Sequence, residues 1–221
     1  MGAPRAIALC QSFNGALEFQ VQHWHEAEAA LQESIQLFRQ IGAADGEALS
    51  CQRLGLLWTA RGRLAGALSV LEDGVFAAKR AKMRAHVQGR LHAAIAQNHL
   101  LAGDLPAAHE ALAMGQALAE SHGHCALCEA LLLPVAVSVR IAQGDLDAAE
   151  DFCRQLDEAT TRYGSRSWVA LAAKARGELA AAQGDISGAR AHYQAAQAGF
   201  AAAKNQYAAA QCGEAMARLR P

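Results

Sequence analysis

Five copies of one short pattern, set at an almost constant spacing, constrain this 221-residue chain more than any other feature. Three copies are close: Ala102-Gly103-Asp104-Leu105-Pro106-Ala107-Ala108, Gln143-Gly144-Asp145-Leu146-Asp147-Ala148-Ala149 and Gln183-Gly184-Asp185-Ile186-Ser187-Gly188-Ala189. Two are looser: Gln22-His23-Trp24-His25-Glu26-Ala27 and Arg61-Gly62-Arg63-Leu64-Ala65-Gly66-Ala67. The closing alanines stand at 27, 67, 108, 149 and 189, so the steps are 40, 41, 41 and 40 residues. A period of this length is the mark of stacked helical hairpins, each burying its apolar face against the next.

The repeated unit has a physical logic. A glycine just past a helix supplies the left-handed residue that ends it, and the Asp that follows caps the next helix with its carboxylate. The closing alanine lets two helices cross closely. About nine residues before each turn a small residue recurs as Gly55, Ala96, Val137 and Gly177, facing the same crossing. Four residues after each alanine comes a larger side chain, Leu31, Leu71, Leu112, Cys153 or Tyr193, on the core-facing stripe.

These signals predict first helices over 5–21, 45–61, 84–101, 125–142 and 165–182 and second helices over 24–40, 63–81, 104–121, 145–162 and 185–203. The fold class is all-α: an α-solenoid of about five hairpins (5–41, 45–82, 84–122, 125–163, 165–204) with a C-terminal capping helix over 206–219. No linker or low-complexity stretch interrupts residues 1–221, so a single domain is expected. With 52% hydrophobic but only 5% aromatic residues, the helices interlock through alanine and leucine. The capping helix carries Tyr207, Met216 and Leu219 without a conspicuously polar outer face, so it is expected to meet a partner, a second copy of the chain among them, or to continue into a longer protein.

The hairpins resemble the tetratricopeptide repeat (TPR), best in Leu54-Gly55, Trp58, Arg61-Gly62-Arg63-Leu64 and Ala67. The period is about six residues longer than the usual unit and the closing proline is missing, which is similar to the repeat arrays of large bacterial regulators of the LuxR type. The resemblance implies a right-handed superhelix and a role as a binding or scaffold module. More finely, it implies the ligand- or protein-sensing part of a transcriptional regulator, set between an ATP-binding module and a DNA-binding one. It also implies a concave groove lined by first helices. Transferred onto this sequence, the groove positions are Ser12, Phe19, Gln52, Leu56, Thr59, Arg90, Gln97, Ser138, Lys174 and Glu178. His99 and Arg140 take the place of Trp58 in their repeats and are expected to reach into the groove, toward a protein, a peptide or a small acidic effector, or else to lie along the surface on their aliphatic stems.

One local cluster has chemistry of its own: His122, His124, Cys125 and Cys128, between the third and fourth hairpins. Two thiolates and two imidazoles suit tetrahedral zinc, and Cys-x-x-Cys also suits a reversible disulfide. The third reading is packing, since cysteine is a good small apolar residue at helix interfaces. The other cysteines, Cys10, Cys51, Cys153 and Cys212, are expected reduced and buried.

Catalytic signatures are absent: no phosphate-binding Gly-x-x-x-x-Gly-Lys, no Gly-x-Ser-x-Gly and no His-Glu-x-x-His, so no enzyme is expected and no cofactor beyond zinc. Twenty basic against 21 acidic residues give a net charge of −1, which offers no general attraction to nucleic acid or membrane. No signal-peptide pattern or membrane-length apolar run is evident, and a cytoplasmic setting is expected.

Overall fold

The computed structural model describes residues 4–121, 123 and 125–220. Among them are eleven α-helices and no strand. The first helices are α1 (Pro4–Gln20), α3 (Ala44–Ala60), α5 (Arg84–Ala102), α7 (Ala126–Gln143) and α9 (Arg166–Ala182). Their partners are α2 (Trp24–Gln40), α4 (Leu64–Ala78), α6 (Leu105–Glu120), α8 (Leu146–Tyr163) and α10 (Ile186–Ala202), and α11 (Gln206–Arg218) follows. The fold of the described residues is all-α, built of TPR-like helical hairpins. The chain divides into two compact units, Met1–Cys128 and Glu129–Pro221, and the boundary falls within the first turn of α7.

The turns form for the reasons the pattern gives. Gly103 (φ +80°) takes the left-handed conformation, and Asp104 accepts a hydrogen bond from the Ala107 amide at 3.1 Å. Asp145 and Asp185 cap α8 and α10 in the same way, at 3.1 and 2.9 Å, and Asn205 caps α11 at 3.0 Å. Arg63 stands at the Asp position before α4 but does not cap. Its guanidinium lies 4.3 Å from the Trp58 ring centroid and pairs with Glu28 at 2.7 Å. Glu28 also accepts from Trp58 Nε1 at 2.9 Å. The looser copy thus replaces a helix cap with a stacked ion pair.

The crossings are tight. All five closing alanines are fully buried. A methyl group at Gly55 would strike Leu71, and one at Gly177 would come within 2.8 Å of the Tyr193 ring. Gly15 is the same position in the first hairpin, where a Cβ would meet Leu31 Cγ at 2.6 Å. In unit 1 this packing builds a core of Ala27, Leu31, Ile35, Cys51, Leu54 and Leu57. In unit 2 the core is Ala170, Ala189, Tyr193, Ala196, Phe200 and Cys212.

Neighbouring first helices are joined by buried or half-buried polar pairs about one repeat apart. Ser12 and Ser50 share a hydrogen bond of 2.8 Å, and Asn98 Nδ2 donates to Thr59 Oγ1 at 3.0 Å. In unit 2, Ser138 Oγ donates to Glu178 Oε2 at 2.7 Å. A slip of one residue between helices would leave these groups unpaired, so they fix register as well as satisfy burial.

Candidate functional site

The first-helix positions expected to form a groove are occupied mainly with one another. Gln52 is 1% exposed and Thr59 3% exposed, so both lie between helices rather than on a lining. Ser12 is likewise buried, held by Ser50 and by Arg53. Arg90 Nη2 donates to Gln52 Oε1 at 3.3 Å, while Arg90 Nε is buried without a hydrogen-bond partner among the described residues. In unit 2, Lys174 pairs with Glu178 at 3.0 Å, and Glu178 also holds Ser138. That carboxylate, more than any other group, raises the Lys174 pKa above its ordinary value. Leu56 and Gln97 remain partly exposed, as does Arg140, whose Nη1 donates to Gln143 at 3.1 Å. Gln52 and Thr59 thus lie in the seam between α3 and α5, bonded to Arg90 and Asn98, rather than on an open groove.

His99 lies elsewhere than expected. It follows Arg90 by nine residues, half a turn out of phase, and so faces away from it. There it lines a cavity of about 310 Å³ within unit 1, bounded by α4, α5 and α6. α5 contributes His92, Ile95 and His99, at the i, i+3, i+7 spacing of one helix face. Val75, Phe76 and Lys79 come from the end of α4, and Ala111 and Met114 from α6. Phe76 is 67% exposed and Met114 48% exposed. Lys79 Nζ sits 5.9 Å from the Phe76 centroid, and Glu72 and Glu110 stand on the rim. Burial lowers the His92 pKa, so its imidazole is held neutral. An apolar floor with a few convergent polar groups is the usual make-up of a ligand pocket. No repeated position marks this pocket in the sequence: Phe76 stands nine residues after the closing alanine of its hairpin and Met114 six.

The cysteine cluster has a different composition from the one expected. His122 and His124 lie outside the described residues. Cys125 and Cys128 are joined instead by His86, from the first turn of α5, and a ligand atom of each of the three lies within 4.8 Å of the others. Cys128 Sγ is 3.7 Å from His86 Nδ1. Arg90, one turn further along α5, is close enough that the two sulfurs, as thiolates, raise its pKa against the larger lowering by burial. His86 was missed because it stands 42 residues from Cys128 in the sequence, yet the repeat period aligns the two helix starts. Of the remaining cysteines, Cys51, Cys153 and Cys212 are buried as expected, while Cys10 is exposed on α1. Burial pushes the Cys51 and Cys153 thiols up to about 12.

At the C-terminal end, Met216 and Leu219 pack on the Tyr193 and Phe200 cluster, so α11 does cover its apolar residues. The exposed apolar stripe at a terminal helix is on α1, where Leu9, Phe13 and Leu17 follow one another at i, i+4 spacing. By length and composition α7 could cross a membrane, with 18 residues at mean hydropathy 1.6, where no such run was expected. Of this helix 39% is buried inside the protein, Leu132, Leu133, Val135, Val137 and Val139 among the buried residues, while Leu127 is 63% exposed.

Comparison with known proteins agrees with this architecture. The family described as the MalT-like TPR region matches residues 6–220. Among solved structures, BtubC (BKLC) from P. vanneervenii is similar with a TM-score of 0.60 at 14% identity, over 89% of this chain and 91% of that one. No curated protein matches.

Proposed function

We propose, from the premise that this chain belongs to the MalT-like TPR region family, that it is the ligand- or protein-sensing repeat region of a bacterial transcriptional regulator. It acts in the cytoplasm and without catalysis, and its contact surface in unit 1 is the α4–α5–α6 cavity. The observation that carries this reading is a contrast within unit 1. Gln52, Thr59 and Ser12 are buried and already bonded to neighbours, whereas Phe76 and Met114 present apolar surface beside His92, His99 and Lys79. A partner's apolar side chain entering the cavity removes this surface from water, and Lys79 with the histidines suits a carboxylate next to it. A homodimer, where one forms, uses the exposed stripe of α1.

The test is a displayed peptide library selected against the full chain. Selected peptides should carry an apolar anchor, and Phe76→Ser or Met114→Ser should weaken them about tenfold, the equivalent of ~1.4 kcal/mol of lost apolar burial. Leu56→Ala and Gln97→Ala should leave them unchanged. Peptides that ignore the Phe76 and Met114 variants but are lost on Gln97→Ala would place the contact surface on the first helices and overturn this reading.

A further inference from the structure

The cysteine cluster is separate from the cavity, and its chemistry stands whether or not a partner binds there. Cys125 precedes α7, Cys128 sits in its first turn, and His86 reaches them from α5. From this grouping we propose that His86, Cys125 and Cys128 supply three ligands of a binding site for a thiophilic divalent cation, Zn²⁺ above others.

The geometry is close to what the ion demands. Bonds of about 2.3 Å to sulfur and 2.0–2.1 Å to nitrogen set tetrahedral edges of roughly 3.8 Å between sulfurs and 3.6 Å between sulfur and nitrogen. Cys128 Sγ and His86 Nδ1 are already 3.7 Å apart, and no ligand-atom pair exceeds 4.8 Å. Closing the remaining gap needs side-chain movements of about 1 Å, without backbone change. The donor set selects the ion: two thiolates and a neutral imidazole favour zinc over magnesium or calcium, which take oxygen ligands. Binding forms two Zn–S bonds and one Zn–N bond and releases the two thiol protons to water, so affinity rises with pH. The Arg90 guanidinium lies close enough to both sulfurs to interact with them electrostatically. Partly exposed Cys125 gives the ion a way in, and buried Cys128 closes the other side.

The experiment is an anaerobic titration of the full, reduced, metal-free chain with Co²⁺, followed by Zn²⁺. One Co²⁺ per chain should bind, with thiolate-to-cobalt charge-transfer absorption and the intense visible bands of a tetrahedral site, and Zn²⁺ should displace it. His86→Gln should lower affinity at least tenfold, since losing even an outer-shell partner of a metal ligand commonly lowers it by that much. Cys128→Ser should do the same, Cys10→Ser should change nothing, and circular dichroism checks that each variant is folded. Three results would overturn the assignment. One is the absence of charge-transfer bands. Another is a cobalt spectrum and affinity unaltered in His86→Gln, which would mean other partners complete the site. The third is a reduced chain that takes up no metal yet closes a Cys125–Cys128 disulfide with oxidised glutathione.

Discussion

Replacing Gly55 by alanine tests whether the repeat is held by close helix crossing. In an ordinary helix interior that change stabilises by about 1 kcal/mol, because alanine is the better helix former. Here the new Cβ would run into Cγ and Cδ2 of Leu71, which is fully buried. Overpacking of that kind costs about 1–3 kcal/mol, and with two atoms in conflict the upper end applies, so a net loss of about 2 kcal/mol is expected. Gly89 is the control. It lies in the next first helix, but a Cβ there would meet nothing nearer than Gly115 O at 3.6 Å and Leu118 Cβ at 3.8 Å. Gly89→Ala should therefore stabilise by about 0.5–1 kcal/mol. With a urea m-value of about 2 kcal/mol/M, the two midpoints should separate by more than about 1 M, in opposite directions from wild type. Adding Leu71→Ala to Gly55→Ala relieves the clash, and the double variant should be more stable than the two single losses sum to, by about 1 kcal/mol or more. A Gly55→Ala midpoint raised like that of Gly89→Ala would refute the tight crossing.

Three other outcomes follow from the same structure. His92 is held neutral by burial, with its folded pKa below the ordinary 6.5, so the unfolded chain gains its proton first as pH falls. Stability should therefore be full above about pH 6.5 and decline below it, in a cavity that His99, Lys79, Glu72 and Glu110 also line; a decline unchanged in His92→Gln would refute the assignment to His92. In metal-free native protein, alkylation should label exposed Cys10 first and partly exposed Cys125 next, with Cys51 and Cys153 labelled only on unfolding, as peptide mass mapping would record. If a dimer exists, Leu9→Glu with Leu17→Glu should convert it to monomer in light scattering, whereas a dimer surviving both changes lies on another surface.

Much of the fold was legible because its determinants are local. Turn glycines, capping aspartates and closing alanines act within one hairpin, and every helix expected from them is present, with each end shifted by at most three residues. Gly15 escaped notice because its turn, Gln22-His23-Trp24-His25, carries no glycine; Gln22 takes the left-handed conformation itself, at φ +66°. The sites were less legible because they depend on phase between helices. Gln52 and Thr59 have polar side chains whether they face a groove or a seam, and only the packing distance decides. His99 kept its place in the repeat but faces the cavity of the second helices. His86 carries no motif at all, and it meets Cys128 only because two helix starts align one repeat apart. Lone polar residues in a repeat give type and position but not direction.

Hydrogen–deuterium exchange on the full chain, with and without a peptide selected against it, tests the central claim most directly. Occupation of the cavity should slow exchange along the end of α4, residues 72–79, and across 107–114 of α6, while the 50–59 segment of α3 stays as it was. Slowed exchange in the α3 segment with none in α4 or α6 would contradict the account and return recognition to the first helices.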